Sequence, residues 1–235
     1  MTRVSMASNQ AAEKVAPSVF LGMTAVTGLV DAVSFLSLGR VFTANMTGNV
    51  VLLGFATARV PGLSITLSLT ALMSFLIGAV LGGRMMARAS GDSNFRIAAQ
   101  VFLLEVVVLT TASVCAIGYK GHVVELSVQP LALIALTALA MGSRNAAVRK
   151  LAIPDLTTTV LTLTLTGIAA DSSLANGNNV RVARRMGAVL AMFSGAAVGA
   201  VVISHSVAAA LGCAAATSAV CNAALYRSLR TSDAP

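Results

Sequence analysis

Eight apolar segments follow one another along these 235 residues with only short polar breaks between them, near 16–39, 41–58, 63–87, 97–118, 126–146, 156–170, 184–204 and 206–226. A bilayer's hydrocarbon core is about 30 Å thick and takes about 20 apolar residues of helix to cross. Inside it no water satisfies the backbone, so only helices and closed barrels span it. Apolar stretches of 18 residues or more recur along the whole chain, which reads as membrane helices. Only 10% of the residues are charged, against about 25% in a soluble domain, so this surface could not be covered against water. The pattern predicts an all-α polytopic membrane protein.

The net charge of +8 could suggest nucleic acid as a partner. The basic residues, however, sit in short loops between apolar runs, as they do when they orient a membrane protein, and no basic stripe with interleaved aromatics is present. Three cysteines, Cys115, Cys213 and Cys221, fall within apolar segments. They are read as small packing residues, without metal-ligand spacing or a disulfide framework. His122 and His205 are read as incidental loop residues, and no metal or other cofactor is expected. Residues 1–15 carry Arg3 and Lys14 but no apolar run with a small-residue cleavage site. They read as a cytoplasmic tail, followed by one transmembrane domain over 16–228 and a short tail over 229–235.

Within the first two segments the stretch Gly28–Gly54 carries an acid, Asp31, and then Thr43, Asn45, Thr47, Gly48 and Asn49. Such groups are costly in hydrocarbon and face a bundle interior or a wet path. Segments two and six are the shortest and most polar. Segment six is dense in threonine, which alone favours strand, but an isolated strand in lipid leaves its backbone unsatisfied, so helix is expected.

Halves of about 16–118 and 126–226 resemble each other. Asp31 aligns with Asn145, Thr47-Gly48-Asn49 with Thr162-Leu163-Thr164, Gly78 and Gly82 with Gly195 and Gly199, and Val114-Cys115 with Val220-Cys221. If all eight segments cross, nine basic residues fall on the N-terminal side and seven opposite. If segments two and six dip in without crossing, the split becomes thirteen against three, with only Arg40, Arg59 and Lys120 opposite. Because cytoplasmic loops concentrate Lys and Arg, the second arrangement is preferred: six spanning helices plus two short re-entrant or broken ones. Three spans per half then make the repeat inverted, a design that recurs in transporters and places broken helices around a solute near the midplane.

The residues Gly28, Asp31, Ala32, Phe35, Leu36, Gly39, Phe42, Thr47, Gly48 and Asn49 form a pattern that resembles the YoaK-like family of bacterial integral membrane proteins, as do Asn145–Arg149 and Asp155–Thr159 with Thr162. Ser143 and Leu163 depart from it, the family often having Gln and Gly there. The resemblance covers most of the chain. It implies an all-helical inner-membrane protein and supplies no substrate.

The residue reading therefore favours a secondary transporter or channel for an unidentified small solute, with the lipid bilayer as its other partner and self-association left open. A non-transporting scaffold or sensor subunit is the alternative. An enzyme is not expected, since no Ser/His/Asp, zinc-ligand or glycine-rich phosphate motif occurs. Pathway candidates are Asp31, Asn45, Thr47, Gly48, Asn49, Glu105, Asn145, Thr158 and Thr162. Asp31 would be a proton- or cation-coupling group, or an acid neutralised by a helix end or an arginine. Thr47-Gly48-Asn49 would be a solute-lining turn or a tight helix contact. Glu105 would be a coupling acid or a structural one paired with an arginine. Arg144 and Arg149 would anchor a cytoplasmic helix end or attract an anion. Gly78, Gly82, Gly195 and Gly199 would let helices pack closely.

Overall fold

A computed structural model describes residues 2–89, 94–121, 127–152 and 161–231, and among these no strand occurs. The helices are α1 (Thr2–Ser37), α2 (Met46–Thr57), α3 (Ile65–Ala87), α4 (Asn94–Cys115), α5 (Val128–Leu151), α6 (Thr162–Ala170), α7 (Val182–Ile203) and α8 (Val207–Thr231). Six stretches are long and apolar enough to cross a membrane: Val15–Ser37 within α1, all of α3, α4, α5 and α7, and Val207–Arg230 within α8. α2 and α6, with 12 and 9 residues, rise only about 18 Å and 14 Å. Neither reaches across a 30 Å core.

Side-chain contacts fix the direction of each helix. Phe20 meets Phe102 edge-on, and the Tyr119 hydroxyl donates to the Ser37 carbonyl at 2.9 Å, so α1 and α4 run the same way. Gln129 donates to the Cys115 carbonyl, and Arg144 meets Glu105, so α5 runs against α4. Gly78 lies against Leu139 and Gly82 against Ser143, making α3 and α5 parallel. Gly195 lies against Ala25 and Gly199 against Leu29, making α1 and α7 parallel. Ser113 donates to the Ala208 carbonyl at 2.8 Å while Glu105 sits beside Ser218, so α4 and α8 are opposed. Hence α1, α4 and α7 run one way and α3, α5 and α8 the other. α2 joins the ends of α1 and α3 that lie on one face of the bundle, and α6 lies between the ends of α5 and α7 on the opposite face, so neither short helix takes the chain across.

These pairings map onto themselves when α1 is exchanged with α5, α2 with α6, α3 with α7 and α4 with α8. α3 packs on α5 as α7 packs on α1, α4 on α5 as α8 on α1, α2 on α3 as α6 on α7, and α4 packs on α8 itself. Each helix runs opposite to its counterpart. The register agrees to the residue. The Gly78–Leu139 contact, shifted by 117 and back by 114, is Gly195–Ala25. Gly82–Ser143 becomes Gly199–Leu29, and Gly142–Phe75 becomes Gly28–Met192. At Gly28, Gly78, Gly82, Gly142 and Gly195 a Cβ would strike a neighbouring backbone, so the close approach depends on its absence, while at Gly199 it would be crowded by Ala32 and Leu29.

The rest of the surface is as apolar as lipid requires. Leu76, Ile77, Val80, Phe193, Val198, Val201 and Val220 all point outward. Cys221 is buried, with its sulfur beside Gly22, but Cys115 and Cys213 are exposed on the helix surface, so the expectation of packing residues is corrected for those two.

Among the described residues, Arg84, Arg88, Arg96, Arg149, Lys150, Arg181, Arg184, Arg185, Arg227 and Arg230 lie towards the face where α1 starts, and Arg40, Arg59 and Lys120 towards the other. Arg144 does not belong in that count. It is wholly buried. The bias survives without it, and reporter fusions after residues 60 and 120 should read periplasmic while fusions after 89 and 178 read cytoplasmic. A cytoplasmic signal after residue 60 would mean that α2 crosses.

Candidate functional site

Asp31 lies about two turns before the end of α1, and its side chain is turned towards the segment that leads into α2. Its Oδ1 accepts the backbone N–H of Thr43 at 3.0 Å and of Ala44 at 2.8 Å, and the N–H of Asn45 also faces it. Thr43 and Ala44 precede the Asn45 N-cap of α2, so their N–H groups have no partner in the helix, and the carboxylate at the positive end of α2 satisfies both itself and this buried backbone. Asn49 works on the same loop. Its Oδ1 accepts from Phe42 N at 2.8 Å, and its Nδ2 donates to Phe42 O, so one carboxamide pairs with both polar groups of one residue. Phe42 in turn stacks on Phe35 at 5.0 Å, and a Cβ on Gly48 would collide with its ring. Gly48 and Asn49 thus hold this segment in shape. Thr47 itself is exposed and Asn45 half-buried. Replacing Asp31 with Ala orphans the N–H groups of Thr43 and Ala44. It should lower stability by about 1–3 kcal/mol in thermal unfolding of the detergent-solubilised protein. Asp31→Asn keeps an acceptor oxygen and should lose less.

The second polar centre lies at mid-depth. Arg144 of α5 and Glu105 of α4, both wholly buried, form an ion pair at 2.9 Å. The other terminal nitrogen of Arg144 donates to the Thr27 hydroxyl of α1 and contacts the Met141 sulfur. Ser218 of α8 adjoins the Glu105 carboxyl, though its hydroxyl makes no hydrogen bond of good geometry. Asp31 lies one turn beyond Thr27 on α1 and within the field of Arg144. Glu105 is the twelfth of the 22 residues of α4, and its pairing with Arg144 is the arginine-paired alternative the sequence left open. Arg144, expected as a surface anchor, is instead the largest fully buried side chain. An arginine ahead of two exposed basic residues, Arg149 and Lys150, gives no sequence sign of facing inward. The hints that existed were Thr27 and Ser218, polar residues in otherwise apolar runs.

The remaining candidates are spread out. Asn145 is half-buried and lines a groove of 590 Å³ between α3 and α5, beside Arg149 and Lys150. Thr162 opens α6 and is exposed, like its counterpart Thr47, while Thr164 is buried, like Asn49. Thr158, Asp155 and His122 lie outside the described residues. At the far end of α6, Arg185 donates to the Gly167 carbonyl and to Asp171, both at 2.6 Å, which places a cation on orphan carbonyls of a helix C-terminus. A larger groove of 690 Å³ lies between α4 and α8, lined among others by Arg96, Gln100, Asn222, Tyr226 and Arg230. Asp31 borders neither groove.

Six apolar spans, two short helices that do not span and buried charges at mid-depth define a polytopic helical membrane protein. The chain belongs to the family described as "Protein of unknown function (DUF1275)", whose pattern matches residues 19–224. It is similar to the "UPF0700 transmembrane protein YoaK" of Bacillus subtilis (strain 168), at 37% identity over 147 residues. That alignment covers 62% of this chain and 62% of the relative, so the chain spans less than two thirds of that protein's length. No solved structure matches it.

Proposed function

We propose that this chain moves a small solute across the bacterial inner membrane, as a secondary transporter or channel built from a duplicated unit inserted in two opposite orientations. The carrying observation is the residue-level correspondence of the Gly78–Leu139 and Gly195–Ala25 contacts, together with the opposed direction of every counterpart pair. Inverted halves with broken segments are a recurrent transporter architecture, because a conformational exchange between the halves opens the centre to alternate sides. The arginine and lysine bias supports a cytoplasmic N-terminus. The reading assigns no reaction chemistry to the protein.

A second reading has one observation in its favour. Asp31 and Asn49 spend their polar groups on backbone, as a non-transporting scaffold or sensor subunit would need. Comparing metabolites of deletion and overexpressing strains, then testing uptake of the responding solute into proteoliposomes, separates the two. Uptake above empty liposomes supports transport. No responding solute, with the centre closed to small reagents from both sides, would favour the scaffold.

A further inference from the structure

Among the described residues, five buried side-chain atoms lack a hydrogen-bond partner: Thr43 Oγ1, Glu105 Oε2, Arg144 Nε, Ser218 Oγ and Asn222 Oδ1. They form a series. Asn222 borders the α4–α8 groove towards the N-terminal face, and Ser218 lies one turn deeper on α8, next to Glu105. Glu105 holds Arg144, and Arg144 reaches Thr27. One turn further along α1 comes Asp31, which accepts the N–H of Thr43 near the opposite face. Unpartnered polar atoms inside a protein are ordinarily satisfied by ordered water where the site is polar.

We propose that these residues line a hydrated column that carries protons to and from Glu105, making it the proton-exchanging group of the transport reading on which this inference rests. The charge balance points to a proton. Asp31, Glu105 and Arg144 are the charged side chains buried among the described residues. Two acids and one base leave one excess negative charge when both acids are ionised, and a single proton cancels it. Asp31 already receives backbone N–H groups, whereas Glu105 has one oxygen on Arg144 and the other unoccupied. A hydronium ion in the column gives its proton to Glu105 Oε2 and leaves as water. In the return step a water takes the proton back. The groups facing Glu105 are Arg144 from α5, Thr27 and beyond it Asp31 from α1, and Ser218 and Cys221 from α8. When Glu105 is neutral, Arg144 still has Thr27 and the field of Asp31, so its charge is not stranded.

The fold itself does not require these groups. By the offsets that relate the halves, the counterparts of Glu105, Arg144 and Ser218 are Leu211, Val30 and Ala112, all buried and apolar. Glu105 from the first half meets Arg144 and Ser218 from the second, whereas exchanging the halves puts Leu211, Val30 and Ala112 in those places and leaves the counterpart cluster apolar. Burying an ion pair is seldom worth its desolvation for stability alone, and ionisable groups at this depth ordinarily mark ion or proton routes.

An infrared pH titration of the protein in liposomes tests the assignment. A carboxylic C=O band should grow as pH falls, shift in D2O, and be lost in Glu105→Gln. Ser218→Ala and Asn222→Leu leave the ion pair in place. They should keep the band but slow its deuterium shift, and they decide the matter if Glu105→Gln does not fold. In a cysteine-free background, Asn222→Cys and Thr43→Cys should react with silver ions added from the N-terminal and the opposite side, while a reinstated Cys213 on the lipid surface stays unreactive. A titration with no band that depends on Glu105 overturns the proton role. If silver still reaches both cysteines in that case, solute passage stands; if it reaches neither and solute uptake also fails, the transport reading falls with it.

Discussion

Arg144→Leu is expected to be the most destabilising single substitution in the chain. The guanidinium is wholly buried and touches helices α1 and α4 from α5. Its removal leaves Glu105 as an unpaired carboxylate with no route to water other than the proposed column. Breaking a buried pair from one side costs about 3–5 kcal/mol. The variant should unfold at a much lower temperature in detergent, or fail to accumulate in the membrane. The double variant Arg144→Leu with Glu105→Leu should recover most of the loss, because replacing both charges by apolar groups is often neutral or stabilising. Val30 and Leu211, the counterparts of Arg144 and Glu105, show that the matching packing positions accept aliphatic side chains without exposure. A double variant that folds well but no longer titrates would separate the structural part of the pair from its chemistry. A double variant as unstable as Arg144→Leu would show that the pair, and not the lone charge, holds α1, α4 and α5 together.

The second large effect is expected at the paired glycines. Gly78→Val on α3 would drive a branched side chain into the Leu139 backbone, and Gly195→Val on α7 would do the same at Ala25. In lipid there is little hydrophobic drive between helices, so association rests on close packing, and small residues at the contact decide it. Overpacking of this sort costs about 1–3 kcal/mol or more. Here the obstacle is backbone and cannot rotate away, so the upper end is expected. Because the two interfaces involve different helix pairs, the effects should be similar in size and should add in the double variant. Thermal unfolding of the three proteins measures this. Strongly unequal effects would mean that the α3–α5 and α1–α7 contacts are not energetic equivalents.

Much of the bundle could be read from the chain because lipid leaves few choices. Six long apolar segments had to be helices, and the shortness of segments two and six, with the arginine distribution, selected the re-entrant arrangement. The small-residue pairs Gly78/Gly82 and Gly195/Gly199 were legible for the same reason, since a recurring four-residue spacing on one helix face has few other uses in a membrane. The candidate site was legible only in part. Asp31 stood out as an acid in an apolar run, yet nothing in the sequence distinguished a coupling acid from one receiving the N–H groups that precede a short helix. Glu105 and Arg144 are 39 residues apart in sequence, and their pairing depends on the relative rotation of α4 and α5, which no periodicity encodes. Thr47 and Thr162 were singled out for polarity, but a hydroxyl can satisfy itself on its own helix, and both face outward.

The glycine contacts are nearly interchangeable between the halves, while the mid-depth groups are not. A molecule whose two halves matched throughout would have inward- and outward-open forms of equal energy, since exchanging the halves would turn one form into the other. Here that exchange carries Arg144 and Glu105 into a surrounding shaped for Val30 and Leu211, and the degeneracy is lifted. On the transport reading, the resting population would therefore lean to one side of the membrane before any solute binds. A change in the charge of the mid-depth pair would then change how strongly it leans.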